Sequence, residues 1–330
     1  MFRSTRPSRF AVAIIFVIAL AITAISDAKA KLNAKADFQV VLLGVGTPVP
    51  FMHRFGPATL VVAGGKYLLF DAGRGVTQRL WQDKIPFGRI DHLFLTHLHS
   101  DHVVGIPDLL LTGWLTSPFA RRKGNFVVSG PAGTADMMKY LTMAYAWDIE
   151  TRIKDQGLKR AGVTSKATDI GPGVVYDQDG VKVTAIAVNH GEKIQPALGY
   201  RIDYDGRSVV ISGDTKYHEP LAAFAKGADL FVHAVAAAKP ELIASAKFWQ
   251  VILDHHTSPE DVGRIFDAAK PKMAAFYHLV TLTNGKIKPP SVADLVKRTR
   301  TTYKGPLTPG ADRLRFEIGK DGVKVMKPGK

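Results

Sequence analysis

Six residues constrain this chain more than any others: His97-Leu98-His99-Ser100-Asp101-His102 follows directly on the apolar run His92 to Thr96. A short apolar run of that kind reads as a buried strand. Three imidazoles and a carboxylate at its exit are costly to desolvate unless something binds them. Side chains at i and i+2 of an extended segment point the same way, so His97 and His99 can share one metal ion. Asp101 and His102 come as the chain leaves the strand and can turn to a second ion. Imidazole and carboxylate suit zinc, with manganese or iron as alternatives. The chain has no cysteine, so zinc here must be held by nitrogen and oxygen.

The flanking sequence predicts alternating strands and helices. Asp37 to Leu43 reads as a strand that ends at the Gly44-Val45-Gly46-Thr47-Pro48 turn. Ala58 to Ala63 and Tyr67 to Phe70 form a hairpin about Gly64-Gly65, and a helix follows over Val76 to Gln82. Further helices are expected at Ile106 to Leu111 and Ala135 to Ala146, with a strand at Phe126 to Ser129. Asp148 to Gly173 is polar and rich in Gly, Lys and Asp, and reads as a connecting or lid segment. The second half repeats the layout. Strands are expected at Val181 to Val188, Gly199 to Tyr204, Ser208 to Ser212, Leu230 to Val235 and Met273 to Tyr277, and a helix near Leu221 to Lys226. A second helix, Ser258 to Ala269, carries its own cap: Ser258, then Pro259 at the first helical position and Asp261 at the third. Two such runs give an α/β fold with helices on the outer faces of packed sheets, and chemistry on the loops at strand ends. A length of 330 residues, 46% of them hydrophobic, is ample for one such domain over residues 31–330.

Residues 1–30 are of another kind. Arg3, Arg6 and Arg9 precede the apolar run Phe10 to Ile25, and Ala28-Lys29-Ala30 has the small-x-small pattern of a cleavage site. That order predicts a secretory signal peptide, hence a periplasmic or secreted protein. An uncleaved membrane tether through residues 10–25 is the alternative, though the run is short against the about 20 residues a span needs. The leader accounts for three of the net +15 charges, through Arg3, Arg6, Arg9 and Lys29 against Asp27. The remaining positive surface favours an anionic substrate. The cations are scattered, without the aromatic interleaving of a nucleic-acid face, and no specific nucleic-acid partner is expected.

The His-x-His-x-Asp-His pattern at residues 97 to 102 resembles that of the metallo-β-lactamase superfamily, over about residues 38 to 280. The branch containing ribonuclease Z and arylsulfatase-like hydrolases is the most similar. The resemblance implies an αββα sandwich, two packed mixed sheets flanked by helices. It also implies two metal ions: one on His97, His99 and His190, the other on Asp101, His102 and His278, with Asp214 of Ser212-Gly213-Asp214 bridging them. A hydroxide shared between the ions would be the nucleophile, and Asp101 the group that orients it or takes its proton. Asp71, in Leu-Leu-Phe-Asp-Ala-Gly, would orient a ligand histidine without binding metal. His256, in His255-His256-Thr257-Ser258, would protonate the leaving group. Tyr217 would contact substrate, a position at which lactone-hydrolysing members also carry tyrosine.

The pattern departs from the branch at His233-Ala234, where His-Glu is usual. That replacement counts against ribonuclease-type cleavage. The missing cysteine and the presence of Asp214 count against β-lactam hydrolysis. The sequence therefore points to an exported hydrolase of a small or medium phosphoester, sulfate ester, carboxylic ester or lactone. A fold that kept its metals without turnover is the reading from another class.

Overall fold

The structure, a computed structural model, describes residues 32, 33 and 35–327. The leader sequence lies outside the described residues. Among them, no helix is long and apolar enough to cross a membrane. The described residues form fifteen strands in chain order. The first six are β1 (Phe38–Gly44), β2 (Ala58–Ala63), β3 (Lys66–Phe70), β4 (His92–Phe94), β5 (Phe126–Gly130) and β6 (Ser165–Asp169). They are followed by β7 (Gly173–Gln178), β8 (Val181–Ala187), β9 (Leu198–Tyr204), β10 (Arg207–Ile211), β11 (Leu230–Ala237), β12 (Met273–Thr281) and β13 (Leu307–Thr308). The last two are β14 (Leu314–Gly319) and β15 (Gly322–Met326).

The strands make two mixed sheets, ordered β15-β14-β1-β2-β3-β4-β5-β6 and β13-β12-β11-β10-β9-β8-β7. Burial of β1 shows how they stack. All seven of its residues are buried, because both faces of the strand are covered. Phe38, Val40 and Leu42 face the second sheet, in one core with Tyr200, Phe231 and Phe276. Val41 and Leu43 point the other way and pack with Leu80, Leu109 and Leu110 of the outer helices Val76–Gln82 and Ile106–Thr112. The period of two in a strand divides these residues between the layers. On the far side, the helix Pro259–Ala269 presents Val262, Ile265 and Phe266 to the second sheet. The architecture is the expected αββα sandwich.

Most expected elements fall within a residue or two of their places, and the helix Val76–Gln82 has the bounds its sequence predicts. Two regions differ. Asp148 to Gly173 is not a loose connection: it holds most of the helix Ala146–Gln156, which buries Ile149, and the edge strand β6. An edge strand open to solvent is free to be polar, so its composition resembled a loop. Beyond Tyr277, β12 continues to Thr281, and the chain adds the helix Val292–Thr299, β14 and β15.

Strand exits gather at one rim of the sandwich. β4 leads into the histidine motif, β8 into His190 and β10 into Asp214. Contacts between the sheets hold that rim: Leu198 N donates to Thr96 O (2.8 Å), and Tyr200 Oη to Leu95 O (2.5 Å). The buried carboxylate of Asp312 fixes the loop after β1, accepting from Val45 N (3.0 Å), Phe55 N (2.8 Å) and the Arg79 guanidinium (2.7 Å).

His92 at the start of β4 serves packing. It stacks on Phe94 with centroids 4.1 Å apart, its Nε2 lies 2.9 Å from Ser129 Oγ, and burial lowers its pKa to about 4. The unfolded chain, with an ordinary value near 6.5, binds the proton first as pH falls. Stability is therefore lost between about pH 6.5 and 4, by about 2.5 kcal/mol at pH 4.5 for this one group. We expect His92→Phe to shrink the difference between urea midpoints at pH 7.5 and 4.5. An unchanged difference would show that His92 does not titrate in this way.

Candidate metal centre

Local backbone geometry sets each side chain of the rim. After β4 the chain makes one helical turn, Ser100–Val103, which buries Asp101 and His102. Ala72 N donates to His102 O (2.8 Å), and a Cβ on Gly73 would run into the Asp101 carbonyl, so only glycine lets this turn sit so close. Gly213, at φ 63°, turns the chain from β10 toward Asp214. His278 lies inside β12 but outside the ladder: Tyr277 pairs with Ala234 and Leu279 with Val235, leaving His278 as the extra residue of a bulge. Its φ of 42° is unusual for a non-glycine residue, as is the 60° of Asp71. Bulges re-aim side chains, and this one turns an imidazole out of a buried strand into the cluster.

All seven residues assigned to metal by resemblance come together, in the groups the resemblance implies. Ligand atoms of His97, His99 and His190 lie within 4.8 Å of one another, and so do those of Asp101, His102 and His278. His97 Nε2 and His190 Nε2 are 3.0 and 3.3 Å from His99 Nδ1. Nitrogens about 2.05 Å from a tetrahedral zinc would be about 3.3 Å apart, so this spacing fits the ion. Asp214 lies between the groups, with Oδ2 3.5 Å from His102 Nε2, 3.2 Å from His278 Nε2 and 3.9 Å from His190 Nε2. His102 Nε2 and Asp214 Oδ1 are buried without a hydrogen-bond partner. Buried polar atoms are seldom left so, and a cation would satisfy both. The residues fit a pair of metal ions.

The outer nitrogens are held as well. His102 Nδ1 is 2.8 Å from Asp71 Oδ2, and His190 Nδ1 is 2.8 Å from the His255 carbonyl. Thr96 ties the set together: its N and Oγ1 donate to the two Asp71 oxygens at 2.8 and 2.9 Å, and Oγ1 lies 3.0 Å from His97 Nδ1. These partners leave the inner nitrogens of His102 and His190 free for a cation. Burial keeps His97 well below the usual histidine range and lowers His190 to about 4, so both are neutral at pH 7, as ligation requires. Burial opposes charge on His102, but Asp71, Asp214 and Asp101 outweigh it and raise its pKa well above 6.5. Likewise Asp214 is driven well below 3.8, because His278 and His102 outweigh its burial. Asp71→Ala should weaken metal binding by about 10–100-fold, measured by competition with a chelating dye. Unaltered affinity would show that Asp71 does not orient His102.

His256 stands over the cluster. Its Nδ1 is 2.8 Å from the Ile252 carbonyl, and its Nε2 faces Asp214 Oδ2 at 3.4 Å. The carbonyl thus orients the ring. His190, Asp214 and His256 form a further group able to hold a cation. Tyr217 is placed elsewhere. It is 45% exposed and lines a neighbouring depression with Lys216, Gln250 and Arg298, one that meets the cluster only through His256.

The cluster opens into a cleft of about 450 Å³. Its walls are Val49 and Phe51 on the loop after β1, Trp249 and Ile252 on the helix Lys247–Leu253, and Val280 and Leu282 at the end of β12. None of the described residues lining it is lysine or arginine. Sequence reasoning missed this wall, because its three segments are far apart in the chain. It also missed Thr96, for which a lone threonine offers no signal.

A rim of imidazoles and carboxylates, buried except for the exposed His99, in two groups sharing an aspartate on an αββα sandwich, is the arrangement of a metal-dependent hydrolase. The chain belongs to the β-lactamase superfamily: the family model described as "Beta-lactamase superfamily domain" matches residues 66–279. It is 34% identical over 293 residues to a protein named ribonuclease Z from Mycobacterium sp. (strain KMS), covering 88% of this chain and 99% of that one. A ribonuclease Z from Mycobacterium marinum is 36% identical over 225 residues, 68% of this chain and 79% of the relative. Among solved structures, the metallo-β-lactamase fold protein YhfI from Bacillus subtilis has TM-score 0.65 at 19% identity, covering 84% of this chain and 98% of its own. Human tRNase Z, short form, has TM-score 0.62 at 20% identity, with coverage of 85% and 99%. These two similarities establish the shared fold.

Proposed function

We propose that this chain is a dinuclear, zinc-using phosphodiesterase acting on small or medium diesters. The observation that carries the reading is His256, held by the Ile252 carbonyl with Nε2 directed at Asp214 between the two ligand groups. A proton donor beside the cluster serves diester cleavage, which must discharge an alkoxide. His97, His99 and His190 would hold one ion and Asp101, His102 and His278 the other, with Asp214 between them. When bound, zinc lowers the pKa of water to about 7 and polarises the substrate oxygen. The protein's residues do the rest: Asp101 orients the attacking water, and His256 gives its proton to the departing oxygen. The mycobacterial relatives named ribonuclease Z support phosphodiester chemistry. The cleft of about 450 Å³ favours a compact substrate. Walls without lysine or arginine do not favour a polynucleotide, whose affinity rests on phosphate contacts.

Zinc-loaded protein should hydrolyse bis(p-nitrophenyl) phosphate with kcat/KM about 100-fold or more above that for p-nitrophenyl sulfate, p-nitrophenyl butyrate, a lactone and an RNA with a 3′ trailer. Preference for any of the others would overturn the reading. Export is part of the proposal and rests on Arg3, Arg6, Arg9, the run Phe10 to Ile25 and Ala28-Lys29-Ala30. Protein recovered outside the cytoplasm should begin near Lys31. Recovery only in the cytoplasm, with Met1 intact, would contradict it.

A further inference from the structure

The helix Lys247–Leu253 is out of keeping with the rest of the fold. Its sequence, Lys-Phe-Trp-Gln-Val-Ile-Leu, is mostly apolar, yet none of its residues is buried. Apolar helices in a water-soluble fold normally hide that surface, and a contiguous exposed patch marks a binding face. Here the patch continues the active-site cleft. Trp249 and Ile252, three residues apart and so on one face, line the cleft beside His256. Phe248 (61% exposed) and Val251 (43%) form a second exposed apolar pair on the adjoining face of the same helix, about 100° round from the first, and Val49 (48%) and Met52 (83%) stand exposed on the loop after β1 that supplies another part of the wall.

A polar end formed by the metal cluster and an apolar track leading out of it match an amphiphile. We propose that the substrate carries an extended alkyl or acyl chain, seated between Val49 and Phe51 on one side and Trp249 and Ile252 on the other, with its outer end against Phe248 and Val251. This deepens the phosphodiesterase reading and rests on it for the polar head. The apolar track is a property of the wall alone. A second copy of the chain covering the helix is the competing occupant.

The test is calorimetric binding of methyl-, butyl- and octylphosphonate to the full-length, zinc-loaded protein, beside turnover of bis(p-nitrophenyl) phosphate. Affinity should rise about fourfold for each added methylene until the wall is covered. Phe248→Ser with Val251→Ser should remove the gain of octyl over butyl and leave methylphosphonate binding at its wild-type value. Trp249→Ala should also weaken butylphosphonate. Equal affinity for methyl- and octylphosphonate would overturn the proposal. So would a dimer in sedimentation that the Phe248 and Val251 substitutions dissociate without changing the chain-length dependence. If bis(p-nitrophenyl) phosphate is not turned over while the dependence stays steep, the phosphodiesterase reading fails and the apolar track stands.

Discussion

Asp214→Ala is expected to lower the metal content from two ions per chain to one or none, and to reduce diester turnover at least about 1,000-fold. The residue is 2% exposed, and its Oδ2 lies within 4 Å of ring nitrogens of His102, His190, His278 and His256. No other described carboxylate lies between the two histidine groups. Asp101 reaches His278 Nε2 at 3.2 Å but belongs to one group only. Removing Asp214 therefore takes the shared anion from a site where several imidazoles converge, and their lone pairs alone do not neutralise two divalent ions. Asp214→Asn keeps the shape and removes the charge. It should lose metal nearly as completely, which separates charge from packing. Elemental analysis after dialysis, with circular dichroism to confirm folding, reads both variants. Two retained ions in Asp214→Ala would remove the aspartate from the centre.

His256→Ala should behave in the opposite way. Metal content stays at two per chain, while turnover of a diester with an alkoxide leaving group falls by about 100–10,000-fold, the usual contribution of a general acid. With p-nitrophenolate, a far weaker base, the loss should be only about tenfold, because that group departs with little need of a proton. This dependence on the leaving group distinguishes proton donation from a structural role, which would slow all substrates alike. His256→Gln keeps the approximate size without a titratable proton and should resemble the alanine variant. Loss of one ion on His256→Ala would instead make it a ligand, through the group it forms with His190 and Asp214.

The site was more legible in the sequence than its surroundings were. Residues 97 to 102 are contiguous, so their chemistry shows in one dimension. Asp71, His190, Asp214 and His278 are scattered along the chain, and only the resemblance to the family marks them as parts of the site. The bulge that turns His278 inward is different: it appears only once β12 is paired with β11, since an apolar run reads alike with or without a slipped register. β14 pairs with β1, more than 250 residues away, and also with its hairpin neighbour β15 across Gly319 to Gly322. The edge strand β6 was hidden by its polarity. Tyr217 shows the limit of spacing: three residues after Asp214, it still turns into the neighbouring depression and away from the cleft. Ala234 departs from the branch pattern, and the contact between the Ile252 carbonyl and His256 has no signal in the sequence.

Two cations are expected to share Asp214 within this cluster. Anomalous diffraction at the zinc edge, from crystals of the zinc-loaded protein, tests it most directly. Two peaks are predicted, one among His97, His99 and His190 and one among Asp101, His102 and His278, with the Asp214 carboxylate between them. A single peak, or peaks only outside these two groups, would contradict the account.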